Sequence, residues 1–270
     1  VAAALLVSLV AHPTPASAWG FTAHRMVNRW AITTLPAPLK ALFEGNSAYL
    51  AEHAIDPDLW RAAGKKGEDP NHYLDLDFFG AYPFPEISHD EARHLERFGE
   101  EGAKKGRVPW RVREAYQELV EAFRATDEAR VLAAAAVLGH YVGDSHVPLH
   151  ASLNHDGQLT GQNGLHSRWE RWLIERFERQ LEAAVLPASA RRLRDDPVEV
   201  TFGVLLSSWT HAQGVLASDK DAVGPRDLAA TAEDDRYGDG YYSRLYEREG
   251  PRVVARLTAA AETLGSLWLT

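Results

Sequence analysis

Apolar residues recur at three- and four-residue steps along most of this chain, the spacing that puts them on one face of a helix. The pattern predicts helices over residues 22–34, 37–44, 88–105, 110–125, 128–147, 165–186, 198–217 and 250–269. These stretches are also enriched in Ala, Leu, Glu and Arg, which lose little side-chain freedom in a helix. Few stretches alternate as a half-buried strand does. Turn signals stand between the helices at Pro36, Gly64 to Pro70, Gly80 to Pro85, Gly106 to Pro109 and Gly157 to Gly164. No repeat, low-complexity linker or shift in composition divides the chain. The pattern therefore implies one all-α domain over residues 19–270, a single-domain multi-helix bundle.

The first eighteen residues follow another rule. Val1 to Ala11 is apolar and uncharged, and Ala16-Ser17-Ala18 is a small-residue cleavage signature. Residues 1–18 thus read as a secretory signal without its initiator Met and basic start, and mature protein would begin at Trp19. That segment is too short to span a membrane, and no later apolar run approaches the roughly 20 residues a span requires. The expectation is an exported soluble protein, secreted or periplasmic.

Export would permit disulfides, yet the 270 residues include no cysteine, so stability must come from a large core and from any bound metal. A formal charge of -9 argues against broad electrostatic binding to a polyanion. It leaves room for a locally positive, metal-centred pocket.

Such a pocket is suggested by the stretch from His140 to His150. His140 and Asp144 are four apart and share a helical face; Pro148 ends that helix, and His150 turns back beside it. His166 and Glu170 repeat the four-residue step. Imidazole plus carboxylate on one face is a common way to present two ligands to zinc, which points to metal-assisted hydrolysis. His146 is an alternative ligand by spacing, although on a helix it points away from the face of His140 and Asp144. His12 leaves with the signal, and His53, His89, His94, His155 and His211 have no partner at ligand spacing, so they are assigned no role. The aromatic loop from Asp77 to Pro85 either walls an apolar substrate site or packs onto the helices. Acidic Ala232 to Asp239 reads as a solvated turn.

Taken in series, Trp19-Gly-Phe-Thr-Ala-His24, Asn71-His72-Tyr73, His140-Tyr-Val-Gly-Asp144, Pro148-Leu149-His150 and Leu165-His166-Ser-Arg-Trp-Glu170 resemble the zinc-dependent phospholipase C and P-one nuclease superfamily. The resemblance runs from Trp19 to about Glu175, and the remainder contributes helices only. It implies an all-α fold with three zinc ions at the bottom of a cleft. One zinc would take Asp58, His72, His140 and Asp144, and a second His150, His166 and Glu170. The third would take His24, a shared Asp144, and the α-amino nitrogen and carbonyl oxygen of Trp19, which close a five-membered chelate ring. Signal removal would then complete the site.

Either Asp56 or Asp58 can reach a metal; Asp58 is favoured because Arg61 follows it at the interval seen in the nucleases, and Asp56 suits a helix cap. In the implied mechanism a metal-activated water attacks phosphorus, Asp58 accepts a proton, Asp144 bridges two metals and Arg61 holds a phosphate oxygen. Both branches of the superfamily are echoed. Glu170, the short interval from His150 to His166 and the lack of cysteine resemble phospholipases C, which places phospholipid first. The Trp19 to His24 spacing and Asp58-x-x-Arg61 resemble the nucleases, with single-stranded nucleic acid or a nucleotide as substrate and Tyr73 or the Phe78 to Phe84 loop as a stacking surface. No stable protein partner is implied. A helical protein that binds zinc without catalysis is the reading from another class; the second site, with only three protein ligands, argues against it.

Overall fold

Residue Ala135 through His146 are all buried, so the helix that carries them is enclosed on every side and organises the rest of the fold. The computed structural model describes residues 20–223 and 237–270; the expected signal segment, Trp19 and most of the acidic turn at 232–239 lie outside the described residues. Eleven helical segments are labelled in chain order: α1 (Gly20–Thr34), α2 (Leu39–Gly45), α3 (Ser47–Glu52), α4 (Asp56–Ala62), α5 (Glu91–Ala103), α6 (Val108–Arg124), α7 (Glu128–His146), α8 (Leu165–Ser167), α9 (Leu173–Ala184), α10 (Pro197–Val223) and α11 (Asp239–Leu269). Among the described residues there is no strand, only an isolated bridge between Leu74 and Gly106. The all-α expectation is correct.

The enclosed helix is α7, packed by α6, α11, α1 and α10. Its start is set by Asp127, whose carboxylate accepts the backbone N–H of Arg130 at 3.1 Å. Its end comes at His146, because Val147 is extended and Pro148 opens a short 3-10 turn, Pro148–Ala151. Two helices, α10 and α11, run longer than periodicity suggests. α11 begins at Asp239 and carries Pro251 inside it, where burial of Tyr241, Tyr242 and Leu245 keeps the chain helical ahead of the proline. α3 and α4 are too short to show a period. No helix among the described residues is long and apolar enough to cross a membrane.

Glycine brings two helices close. At Gly139 of α7 an added Cβ would lie 1.9 Å from Asn28 Oδ1 of α1, and at Gly265 of α11 it would lie 2.0 Å from Thr34 Oγ1. Asn28 is itself committed, donating from Nδ2 to the carbonyls of Leu50 at 2.8 Å and Ala136 at 3.3 Å. Neither neighbour can retreat without losing a buried hydrogen bond.

Alanine is the better helix former by about 1 kcal/mol, yet Gly139→Ala and Gly265→Ala should each destabilise the protein, by about 1–3 kcal/mol, as overpacking does. Thermal unfolding of the two variants checks this. An unchanged or raised midpoint would mean that α1 is not held as close as the structure has it.

Candidate metal centre

Four segments aim imidazoles at one buried carboxylate. Asp144, on the last turn of α7, has His72 Nδ1 at 2.9 Å and His140 Nε2 at 3.2 Å from its Oδ2. Its Oδ1 faces His24 Nε2 of α1 at 3.5 Å and His150 Nδ1 of the turn after α7 at 3.7 Å. His140 and Asp144 share a face because they are four apart in a helix, and the proline-started turn brings His150 back to them. Asp58, near the start of α4, places Oδ1 at 3.9 Å from His72 Nδ1 and 4.0 Å from His140 Nε2. The rings of His24 and His140 stack with centroids 4.0 Å apart.

A second cluster lies beside the first. His166 Nε2 is 2.9 Å from Glu170 Oε2, and His150 Nε2 is 3.6 Å from that oxygen and 3.2 Å from His166 Nε2. Glu170 sits in a π-helical turn, Arg168–Trp172, between α8 and α9. Such a turn is often found at functional sites, since the extra residue re-aims a side chain. Gly20 touches the same turn: its φ is +42°, and an added Cβ would come within 3.3 Å of the Glu170 carbonyl and 3.2 Å of Arg171 Cα. The backbone next to residue 19 is thereby tied to the ligand-bearing segment.

Of the nine residues expected to bind metal, the eight that are described converge here, all of them buried. They fall into groups whose ligand atoms lie within 4.8 Å of one another: His24, Asp58 and His140; His72, His140 and Asp144; His150, His166 and Glu170. Trp19 lies outside the described residues. The donor set fits zinc: ligands at about 2.0–2.1 Å in a tetrahedron stand about 3.3–3.4 Å apart, near the 2.9–3.6 Å within the second cluster. Asp144 Oδ1 is buried and accepts no hydrogen bond among the described residues, which suits an oxygen reserved for a cation.

The electrostatics agree. Burial pushes the Asp144 carboxyl up, but His140, His150 and His24 outweigh it and hold the group well below the usual carboxylate range. Glu170 is lowered against its burial by His166 and His150. Burial pulls His72 down, while Asp144, Glu68 and Asp58 raise it to about 9. The site attracts positive charge.

The uncertain assignments part in space. Asp58 is 5% exposed and faces the cluster, whereas Asp56 is the first residue of α4, with Ile55 in the capping position, and pairs with His53 Nδ1 at 2.8 Å. His146 turns out of the cluster, its Nδ1 donating to the Val142 carbonyl at 2.8 Å. His89 pairs with Glu199, and His94 is buried against Phe79, Phe98 and Trp110. The aromatic loop divides, with Phe79 and Phe84 in the core, Phe78 exposed, and Tyr82 exposed while stacked on Trp209.

A cavity of about 630 Å³ opens on the second cluster, where His150 and His166 meet Arg61, Tyr73, Asp75 and His155. Burial pushes Asp75 up to about 7 despite the attraction of Lys105, with Asp77 adding to the rise. Three residues here escaped sequence reasoning: Asp75, His155 and Glu68, whose Oε1 is 3.6 Å from His72 Nε2. Glu68 and His72 do carry the same four-residue interval as the other pairs, but in a turn-rich stretch where helical spacing has no weight. Nor is the C-terminal third mere helix. Asp219 of α10 binds Arg168 at 3.0 Å, two residues from both His166 and Glu170, and also takes Tyr241 and, at 2.7 Å, Gln162.

A family model described as S1/P1 Nuclease matches residues 19–213. No curated protein matches the chain.

The Arg168 pair is 6% and 1% exposed at its two side chains, so removing one partner strands a buried charge, which costs about 3–5 kcal/mol. Asp219→Ala should therefore lower the unfolding midpoint and reduce bound zinc together. A variant that keeps wild-type zinc and stability would show that α10 does not hold the ligand arm.

Proposed function

The chain belongs to the S1/P1 nuclease family, hydrolases of phosphodiester bonds, and on that premise we propose that it is an exported, zinc-dependent nuclease and 3'-nucleotidase acting through three zinc ions. The observation that carries the choice of substrate is the cavity wall. Tyr73 offers a ring on which a base can stack, and Asp75, poised near neutrality, can donate or accept a hydrogen bond to a base edge. A diacylglycerol would need a broad apolar wall, and of the loop's three phenylalanines Phe79 and Phe84 are in the core, leaving only Phe78 exposed, beneath the Lys105 ammonium. Phospholipase C, first by sequence, is the second reading and rests on Glu170 and the short interval from His150 to His166. Export is supported by the start of the family match at residue 19, directly after the Ala16-Ser17-Ala18 signature.

Bound zinc supplies Lewis acidity toward phosphoryl oxygens and water that ionises near neutral pH. Asp58, His72, His140 and Asp144 would hold one ion, His150, His166 and Glu170 a second, and His24, Asp144 and the amine and carbonyl of Trp19 a third. Asp144 reaches both neighbouring groups because its two oxygens face different imidazoles, and its charge would offset the repulsion between cations held there. Asp58, beside His72 and His140, accepts a proton as the nucleophile forms. Arg61 reaches the cavity and holds a phosphoryl oxygen, while Tyr73 and His155 flank the base.

Purified mature protein with zinc should cleave single-stranded RNA, DNA and a 3'-nucleotide far faster than phosphatidylcholine. The reverse order would sink the nuclease reading in favour of the lipase. Asp144→Asn keeps the size and removes the charge, so activity should fall by orders of magnitude and zinc content should drop; normal turnover would exclude the bridging role.

Trp19 has its own test, since an added residue replaces its amine by an amide, a far poorer ligand. A protein extended by one Gly before Trp19 should lose one zinc and most activity while its circular dichroism stays the same. Equal zinc and equal rate would make the terminus a bystander.

A further inference from the structure

An imidazole that gives one lone pair to a metal carries its proton on the other nitrogen, and what that nitrogen meets sets the tautomer and the ring's aim. In two of the candidate ligands the outer partner is a backbone carbonyl. His140 Nδ1 donates to Ala54 O at 2.8 Å, and His150 Nδ1 donates to His72 O at 2.8 Å. His72 differs. With Nδ1 turned to Asp144 and His140 at 2.9 and 3.0 Å, its Nε2 faces the carboxylate of Glu68 at 3.6 Å.

Glu68 is 2% exposed and is held from several sides. Its Oε1 accepts from the Tyr141 hydroxyl at 2.5 Å and from Asn71 Nδ2 at 3.3 Å, and its Oε2 pairs with Lys65 Nζ at 3.1 Å. A buried carboxylate costs several kcal/mol in lost solvation, so one placed behind an imidazole and clamped by its neighbours is a committed feature. Tyr141 adds a covalent tie, being adjacent to His140 in α7.

We propose that Glu68 is a positioning residue for the first zinc: it orients His72 with Nδ1 toward the metal. The inference rests on the metal reading above. His72 also links the two clusters, its ring reaching Asp144 and its carbonyl receiving His150 Nδ1. Loss of Glu68 therefore loosens the first ion and transmits disorder to the second.

The test uses mature protein and the variants Glu68→Gln, Glu68→Ala and Tyr141→Phe, with zinc affinity measured by chelator competition and thermal unfolding measured on zinc-stripped samples. Both Glu68 variants should bind zinc roughly 10–100-fold more weakly, and Tyr141→Phe should weaken it less, since that variant keeps the carboxylate but frees it to move. The zinc-stripped midpoint of Glu68→Gln should stay close to wild type, because the amide fills the same space and its oxygen still accepts from Tyr141, whereas Glu68→Ala strands that buried hydroxyl and loses some stability as well. Unchanged affinity in Glu68→Gln, or a zinc-stripped midpoint of that variant that falls in step with affinity, would overturn the proposal. If Glu68→Gln does not fold, Tyr141→Phe decides by the same two measurements. Wild-type protein that binds no zinc would overturn the nuclease reading along with it, whereas full zinc in wild type and in every variant overturns the role of Glu68 alone.

Discussion

One buried carboxylate organises this molecule. Asp144 lies in the core and meets imidazoles from α1, from the turn at Asp69–His72, from α7 and from the turn after α7. Removing a carboxylate from water costs several kcal/mol unless positive charge and hydrogen bonds repay it. Three stretches far apart in sequence, around His24, His72 and His140 to His150, are therefore obliged to arrive at one point with their imidazoles aimed inward. A cation bound there would serve folding as well as chemistry, since whatever binds only the folded state stabilises it.

A polar cluster at the centre leaves less apolar contact to hold the helices, and the fold compensates with close approach. Gly139 and Gly265 let α1 lie against α7 and α11, and Asn28 spends its amide on two carbonyls at that contact. On the other side, α10 and α11 grip the segment that bears His166 and Glu170. Asp219 holds Arg168, and Glu249 Oε2 accepts from Trp169 Nε1 at 3.0 Å. Asp219 and Glu249 lie beyond the span matched by the family model, so the C-terminal helices act as the vice that keeps the second cluster in shape.

On the proposed reading, substrate choice would fall to a different set of residues. The cavity borders the second cluster, and its wall mixes the Tyr73 ring, the near-neutral Asp75 and the cation of Arg61. The Leu74 to Gly106 bridge and the bond from Asp75 N to Lys105 O at 2.7 Å fix this wall to the loop before α6. Ligands and wall share one short stretch, since His72, Tyr73 and Asp75 are near neighbours in sequence. On the proposed reading, holding metal and reading substrate would be coupled through that backbone.

The helices and two pairs of the candidate ligand set were legible in the sequence because both follow local geometry, whereas Trp19, His24, Asp58 and His72 were marked only by the family resemblance. Apolar residues at helical steps report a buried face, and His140 with Asp144, like His166 with Glu170, report a shared one. α3 and α4 were not legible, being too short for a period to show. Asp56 and Asp58 are alike in sequence, and only packing turned one to His53 and the other to His72 and His140. Glu68, Asp75 and His155 acquire their surroundings from segments distant in the chain, so no local pattern could mark them. The aromatic loop could be read either as a substrate wall or as packing, because composition registers apolar rings without their direction. Local spacing thus determined which residues could act together along one helix; the meeting of separate segments around a buried charge decided which of them do, because a contact across the core depends on the whole chain being folded.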